Sequence, residues 1–436
     1  MQRYLLGLRS RQRSSCAGCA RLLAVASLLS AAALSQSPGA AAPLAAAISP
    51  RTQAGIARDI ARHFGDAPAY PGPHAPLSGS LRPPAVRAAM RKVANWELAR
   101  AQPYFGRNWT WSALYAGFMA ASHALHTPRY RDAMRAMAAK FQWRLRSSAP
   151  SADDQSLAQT YLELYLRRPA PQKIAYTRRA LAALMAGAGP PIPRLQARIP
   201  WWWCDALFMA PPVWSRMYAA TGDRQYLAYL DRHFRQTSRL LYDRRYHLYY
   251  RDITFLHQRD RRGHPVFWSR GEGWVMGGLA RTLAYLPPAD PAYGRYARRL
   301  RQMAAAVAAL QDPNNGLWHS GLLDAQDYPQ PETSGSALIV FALAWADNRG
   351  LLDNQIFLPV IAKAWRGLVR QIYADGRLGN IQQTGSAPAH YLPSSSYNYG
   401  VGAFLLAGAQ VSKLPIRWPA QAPRPPAARA PRRPSR

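Results

Sequence analysis

Residues 203–241 read WCDALFMAPPVWSRMYAATGDRQYLAYLDRHFRQTSRLL. Apolar side chains recur at three- and four-residue spacing over residues 203–221, and again over 225–241. That is the pattern of two amphipathic helices. Between them Gly222 tolerates the left-handed backbone that ends a helix, and Asp223 supplies a side chain able to cap the next one. The stretch therefore reads as a helical hairpin. TPRYRD at 127–132 repeats the turn, and residues 290–296 form a looser third copy.

Working outward, the same periodicity predicts helices over 85–102, 112–125, 129–146, 155–165, 171–186, 273–286, 292–310, 334–348, 354–371 and 400–409. No run of alternating strand-type residues interrupts them. A hairpin roughly every 50–60 residues signals a solenoid or a closed ring of hairpins. Twelve predicted helices suit a ring of six, with inner helices around a central cavity. The expected fold class is all-α.

The ends differ from this body. Residues 1–21 carry five arginines and no acid, residues 22–34 are apolar (LLAVASLLSAAAL), and small residues follow. That is the pattern of an export signal with a leader over residues 1–47. An uncleaved anchor is the competing reading, although the run is short for a bilayer, which needs about 20 apolar residues. Cleavage leaves Cys204 as the one cysteine, so no disulfide framework forms within the chain. Residues 48–84 read as an extension with a short helix over 54–64, and residues 85–416 as one catalytic domain. Residues 417–436 form a Pro- and Arg-rich tail without apolar periodicity, expected to be disordered. The location that follows is the periplasm or the exterior, without stable membrane insertion once the signal is removed.

Charge narrows the field less than its size suggests. The 436 residues hold 56 Lys and Arg against 22 Asp and Glu, a formal net charge of +34. Nearly all of the basic residues are arginine, in a chain also rich in alanine and proline. Background bias and a polyanionic partner both account for that. No nucleic-acid-binding signature accompanies the charge, and none is expected to be bound.

Three clusters carry candidate chemistry. PWWWCDALFMAPP (200–212) sets Asp205 among indoles. A carboxyl there resists ionisation and can hold a proton near neutral pH, the requirement for a general acid; an N-cap is the structural alternative. FWSRGEGWVMGG (267–278) places Trp268 and Trp274 around Arg270 and Glu272. Indole faces stack on sugar rings and a guanidinium pairs with a carboxylate, while a helix start with core tryptophans is the plainer reading. SADDQSLAQTYLELY (151–165) offers Asp153 and Asp154, a capping pair unless the cleft claims one of them. The histidines show no metal-ligand spacing, and no nucleophile elbow or phosphate loop occurs, so neither metal nor cofactor is assigned.

These motifs, with LYYRD (248–252), YPQPETSGSALIVFALAWADNRGLLD (328–353) and YGVGAFLLAG (399–408), resemble glycoside hydrolase family 105, the unsaturated rhamnogalacturonyl hydrolases, in the family's order over residues 93–408. The resemblance implies an (α/α)6 barrel with the site in its central cleft. It also implies hydrolysis of oligosaccharides bearing a 4,5-unsaturated uronic acid at the non-reducing end, by protonation of the double bond and addition of water. Carried over by motif, Asp205 matches the general acid and one of Asp153 and Asp154, preferably Asp153, a second cleft carboxylate. Trp268 and Trp274 match stacking residues, Arg270 the charge between them, and Trp203 a further wall. Three positions depart from the pattern, the mildest being Ala158, which stands where Gly is common. Glu272 stands where relatives have Asn, open to pairing with Arg270 or repelling an acidic sugar. Arg251 stands in a stretch where some relatives have His, open to binding the uronate or pairing with Asp252. The alternatives are another carbohydrate enzyme on the same ring (a glycosaminoglycan-fragment hydrolase or an epimerase) and a glycan-binding protein without catalysis.

Overall fold

A computed structural model of the chain describes residues 50–193 and 196–416; the expected signal and the expected tail lie outside the described residues. Fifteen α-helices are described: α1 (Pro50–His63), α2 (Pro83–Ala101), α3 (Trp109–Ala124), α4 (Arg129–Lys140), α5 (Ala152–Gln155), α6 (Ala158–Arg167), α7 (Gln172–Met185), α8 (Ala206–Met209), α9 (Pro211–Thr221), α10 (Gln225–Leu241), α11 (Ser269–Leu283), α12 (Pro291–Ala309), α13 (Thr333–Asp347), α14 (Asn354–Val369) and α15 (Asn398–Val411). One two-residue pair, β1 (Tyr242–Asp243) against β2 (Leu248–Tyr249), is antiparallel, with Tyr242 opposite Tyr249.

Six of these helices close a ring. α3 packs on α6, α6 on α9, α9 on α11, α11 on α13, α13 on α15, and α15 returns to α3. Outside it stand α2, α4, α7, α10, α12 and α14, each against its inner neighbour. The chain is therefore an (α/α)6 barrel, a family of folds in which one outer helix separates successive inner ones. All six inner helices consequently run the same way, and their N-termini share one rim.

The two rings obey different burial rules. On outer α10 the buried positions are Tyr226, Leu227, Tyr229, Leu230, His233, Phe234, Thr237 and Leu241, one apolar stripe. Each Leu or Phe of that stripe contributes roughly 1.5–3 kcal/mol when buried. Inner α11 and α13 are buried at every residue. Close crossing of α3 and α15 needs glycine: a Cβ on Gly402 would lie 2.2 Å from the Ala113 carbonyl oxygen, and one on Gly117 would lie 2.6 Å from Gly402.

Several predicted boundaries shift. The helix expected over 129–146 stops at Lys140, because Gln142 and Trp143 take positive φ angles of 52° and 57°. The helix expected over 203–221 is two, α8 and α9, since Pro211 and Pro212 remove the donors that would continue it. The hairpin turn behaves as read: Gly222 has φ 75°, and Asp223 accepts the Gln225 N–H at 2.9 Å.

Candidate active site

Connections from inner to outer helices are tight, as at residues 222–224, whereas those entering the inner helices are long. The long ones gather on the rim formed by the inner N-termini. The clusters singled out around Asp205, Asp153 and Trp268–Trp274 fall there, whereas the hairpin turns at 127–132 and 222–224 lie at the opposite end.

Asp205 occupies the N-cap position of α8, yet its side chain makes no capping hydrogen bond. The capping alternative is therefore set aside, and the carboxyl is free for other work. It is 9% exposed. Arg251 approaches it, with Nε 3.5 Å from Oδ2, and the Cys204 thiol donates to the same oxygen at 3.5 Å. Burial raises the Asp205 pKa, opposed by the positive charges of Arg251 and Arg270.

Asp153 and Asp154 part company. Asp154 closes a capping box with Ser151 and takes the Arg146 guanidinium at 2.8 Å. It is thereby engaged on the helix start, which corrects its placement beside Asp153 as a catalytic candidate. Asp153 instead lines a cavity of about 690 Å³ together with Trp202, Trp203 and Arg251. Its pKa is pushed up to about 7, first by burial and then by the neighbouring Asp205 charge. Two carboxyls that repel one another in a desolvated cleft share protons as a unit.

Arg251 divides itself. Its Nη1 donates to Asp252 at 2.6 Å, its Nε faces Asp205, and its guanidinium lies 5.4 Å from the Trp202 ring centroid. The expected pairing with Asp252 is made, and the same residue stands in the cleft wall. Asp252 is fixed in turn by the Thr254 N–H and hydroxyl, which with Arg251 overcome burial and hold its pKa low.

The expectations for residues 268–274 need correction. Arg270 is fully buried, and its Nη1 and Nη2 donate to the carbonyls of Gln382 and Gln383, each at 2.7 Å. It lies between the rings of Trp268 (4.3 Å) and Tyr399 (5.1 Å). With both ends of its fork taken, it braces the rim segment 382–384 rather than presenting a free guanidinium to a sugar. Glu272 neither pairs with Arg270 nor faces the cleft. It is fully buried, accepts the Tyr249 N–H at 2.8 Å, and burial pushes its pKa well up. Its carboxyl is held on the Tyr249 N–H, away from solvent. Trp268 and Trp274 are 3% and 1% exposed. Trp268 donates to Gln382 Oε1 at 2.9 Å, while Trp274 packs on Phe208 and Trp109. These two indoles shape the wall from behind.

Two partly exposed indoles next to the site residues are Trp202 and Trp109, which sequence reasoning passed over. Trp202 packs on buried Trp203, and Trp109 on Tyr399 with centroids 5.2 Å apart. Periodicity does not reveal which of three consecutive tryptophans faces the cleft. For Trp109 a signal did exist, because Asn108 is a capping residue and caps the Trp111 N–H. The segment 382–384 was also missed. Besides Arg270, Tyr399 donates to the Gln382 carbonyl, Ser320 to Gln382 Oε1 (2.6 Å), and the Gln382 N–H reaches Glu332 (3.1 Å). No group of three or more His, Cys, Asp or Glu among the described residues is placed to hold a metal ion.

Cys204 and Trp268 both pack close to Gly271: a Cβ there would lie 3.2 Å from the Cys204 sulfur and 3.3 Å from the Trp268 ring. Asp205 therefore adjoins the start of α11, inside the rim.

Comparison with known proteins agrees with this geometry. A model of Glycosyl Hydrolase Family 88 matches residues 84–414. The chain is 34% identical over 345 residues to an unsaturated 3S-rhamnoglycuronyl hydrolase of Formosa agariphila, covering 76% of this chain and 91% of the relative. It is 30% identical over 348 residues to a protein of the same description from an Alteromonas strain, covering 73% and 84%. A solved family 88 glycosyl hydrolase from Bacteroides vulgatus superposes with a TM-score of 0.70 at 31% identity, covering 76% of this chain and 99% of that one. The chain therefore belongs to Glycosyl Hydrolase Family 88, in keeping with its family-105-like unsaturated uronyl hydrolase motifs, and is a glycoside hydrolase.

Proposed function

We propose that the enzyme removes a 4,5-unsaturated uronic acid from the non-reducing end of lyase-generated acidic oligosaccharides, with Asp205 and Asp153 as the acid–base pair. One observation carries this reading: Asp153 lines the tryptophan-walled cavity together with Arg251, and burial and then the charge of nearby Asp205 push its pKa up to about 7. Such a pair keeps one proton near neutral pH, which an electron-rich enol ether can accept.

The cation beside Asp205 suggests how the proton is released. In the free enzyme Arg251 favours ionised Asp205. An arriving uronate carboxylate competes for Arg251. Asp205, stripped of its counter-charge, takes up the pair's proton and delivers it to C4. Water adds at C5 and returns a proton to the Asp205 carboxylate, so the enzyme is regenerated. The C5 hemiketal then opens, and the hemiacetal left at C1 releases the remaining saccharide as an alcohol. The double bond is lost and no covalent sugar–enzyme bond forms, unlike the usual two-carboxylate displacement. Trp202 and Trp109 supply the partly exposed faces for stacking.

The relatives' descriptions favour a uronate linked to 3-sulfated rhamnose over the pectin-type linkage first expected from the motifs, and the many surface arginines suit a sulfated chain. The leader pattern of residues 1–47 supports action outside the cytoplasm. The test is loss of the double bond's ultraviolet absorbance on incubation with lyase-treated sulfated rhamnan-uronan and lyase-treated pectin. Decay on the former that Asp205→Asn abolishes, with the fold retained, is the expected result. No decay on any unsaturated uronide would leave a glycan-binding protein.

A further inference from the structure

The other end of the barrel carries its own pocket. The C-terminal halves of the six inner helices enclose about 240 Å³. At its base lie two buried guanidiniums, Arg216 (2% exposed) and Arg281 (6%). Both donate to one oxygen, Glu163 Oε1, each at 2.8 Å. Arg281 Nε also reaches Gln159 at 2.7 Å, and Arg216 Nη1 reaches the Pro212 carbonyl at 2.9 Å. Arg216 Nε has no hydrogen-bond partner. Exposed Arg167, Arg349 and Lys413 ring the mouth. Glu163 is the one acid lining the pocket among the described residues.

Positive charge here exceeds what the carboxylate answers. Helix C-termini offer about half a negative charge each, but only within their last turn and weakly where water reaches. The cations still feel one another: burial and then Arg216 push Arg281 down to about 10, and burial with Arg349 lowers Lys413. Two guanidiniums held rigidly in a concave site, with an N–H to spare, match a tetrahedral oxyanion in charge and in donor geometry.

We propose that this basal pocket binds a sulfate or phosphate group, carried either by a free ion or by an ester on a saccharide. The proposal stands apart from the reading of the upper cleft, because it needs none of that cleft's residues.

Calorimetric titration of the full-length protein with sodium sulfate, against sodium chloride at equal ionic strength, tests it. Saturable one-site binding of sulfate is expected. Arg349→Glu combined with Lys413→Glu, both at the exposed mouth, should weaken it by about tenfold or more, since each reversal opposes the anion at close range. Arg216→Lys, which keeps the charge but loses the fork, should weaken it as well. Galactose 6-sulfate distinguishes the sources: binding about tenfold tighter than sulfate indicates the ester, and equal or weaker binding indicates the free ion. Absence of saturable heat beyond the chloride control overturns the proposal. So does binding that survives the double variant and is lost in Arg251→Ala, which would put the ion in the upper cleft.

Discussion

The two ends of the barrel are built from the same six helices and solve opposite electrostatic problems. On the N-terminal rim, helix dipoles would welcome ionised acids. Glu332 and Asp252 accept that offer by capping α13 and the turn at 253–255. Asp205 declines it: it stands at a helix start without a capping bond, in a desolvated cleft beside Asp153. At the C-terminal end, Arg216 and Arg281 sit where a dipole favours cations, yet share a single carboxylate. The base is an ion network that supports the ring, whereas the rim withholds solvation from two carboxyls and keeps a proton available. Position in a fold sets the field, and local partners decide whether a residue is structural or reactive.

Four outcomes would break or sharpen this contrast. The largest concerns the rim. Asp205→Asn should lower kcat/KM by about 10²–10⁴-fold, the range for a general acid–base group, while Tm is unchanged or higher. A Tm collapse would mean that Asp205 is structural after all. At the base, Glu163→Gln should cost about 3–5 kcal/mol in urea unfolding, because it strands two buried guanidiniums. A neutral result would show that the base needs no counter-charge.

The third is a pH effect. Because Asp153 retains its proton up to about pH 7, wild-type kcat/KM should fall as pH rises through that value. For stability the sign follows from the raised pKa. Between about pH 4, the unfolded value, and pH 7, the folded state binds more protons, so rising pH weakens it. Asp153→Asn removes that penalty, so its Tm advantage over wild type should grow across this window and stay level above it. A constant difference would mean that Asp153 titrates normally. The smallest effect belongs to its neighbour. Asp154→Ala loses a capping box and should cost about 1 kcal/mol, with kcat/KM within about twofold of wild type. A large activity loss would reinstate it in the cleft.

Much of the ring was legible because outer helices alternate between solvent and core, and their stripe survives in sequence, as in α10. Helix starts were legible where a capping side chain marks them, and Asp205 could be singled out because a lone acid among indoles is chemically costly. The fates of Arg270 and Glu272 were not legible. Their partners, at residues 382–383 and at Tyr249, are brought close only by ring closure and by a long connection. Inner helices such as α13, buried on every side, leave no periodic clue to which side chain faces the lumen.

By itself, then, the amino-acid sequence determined the helical hairpins, their number and the acids worth testing, since these follow from local periodicity, capping and desolvation chemistry. Only the tertiary structure decided which carboxyl meets Arg251, which indole faces the cleft and where unanswered charge collects. Those depend on distances between loops far apart in the chain, and such distances exist only once the six inner helices have closed.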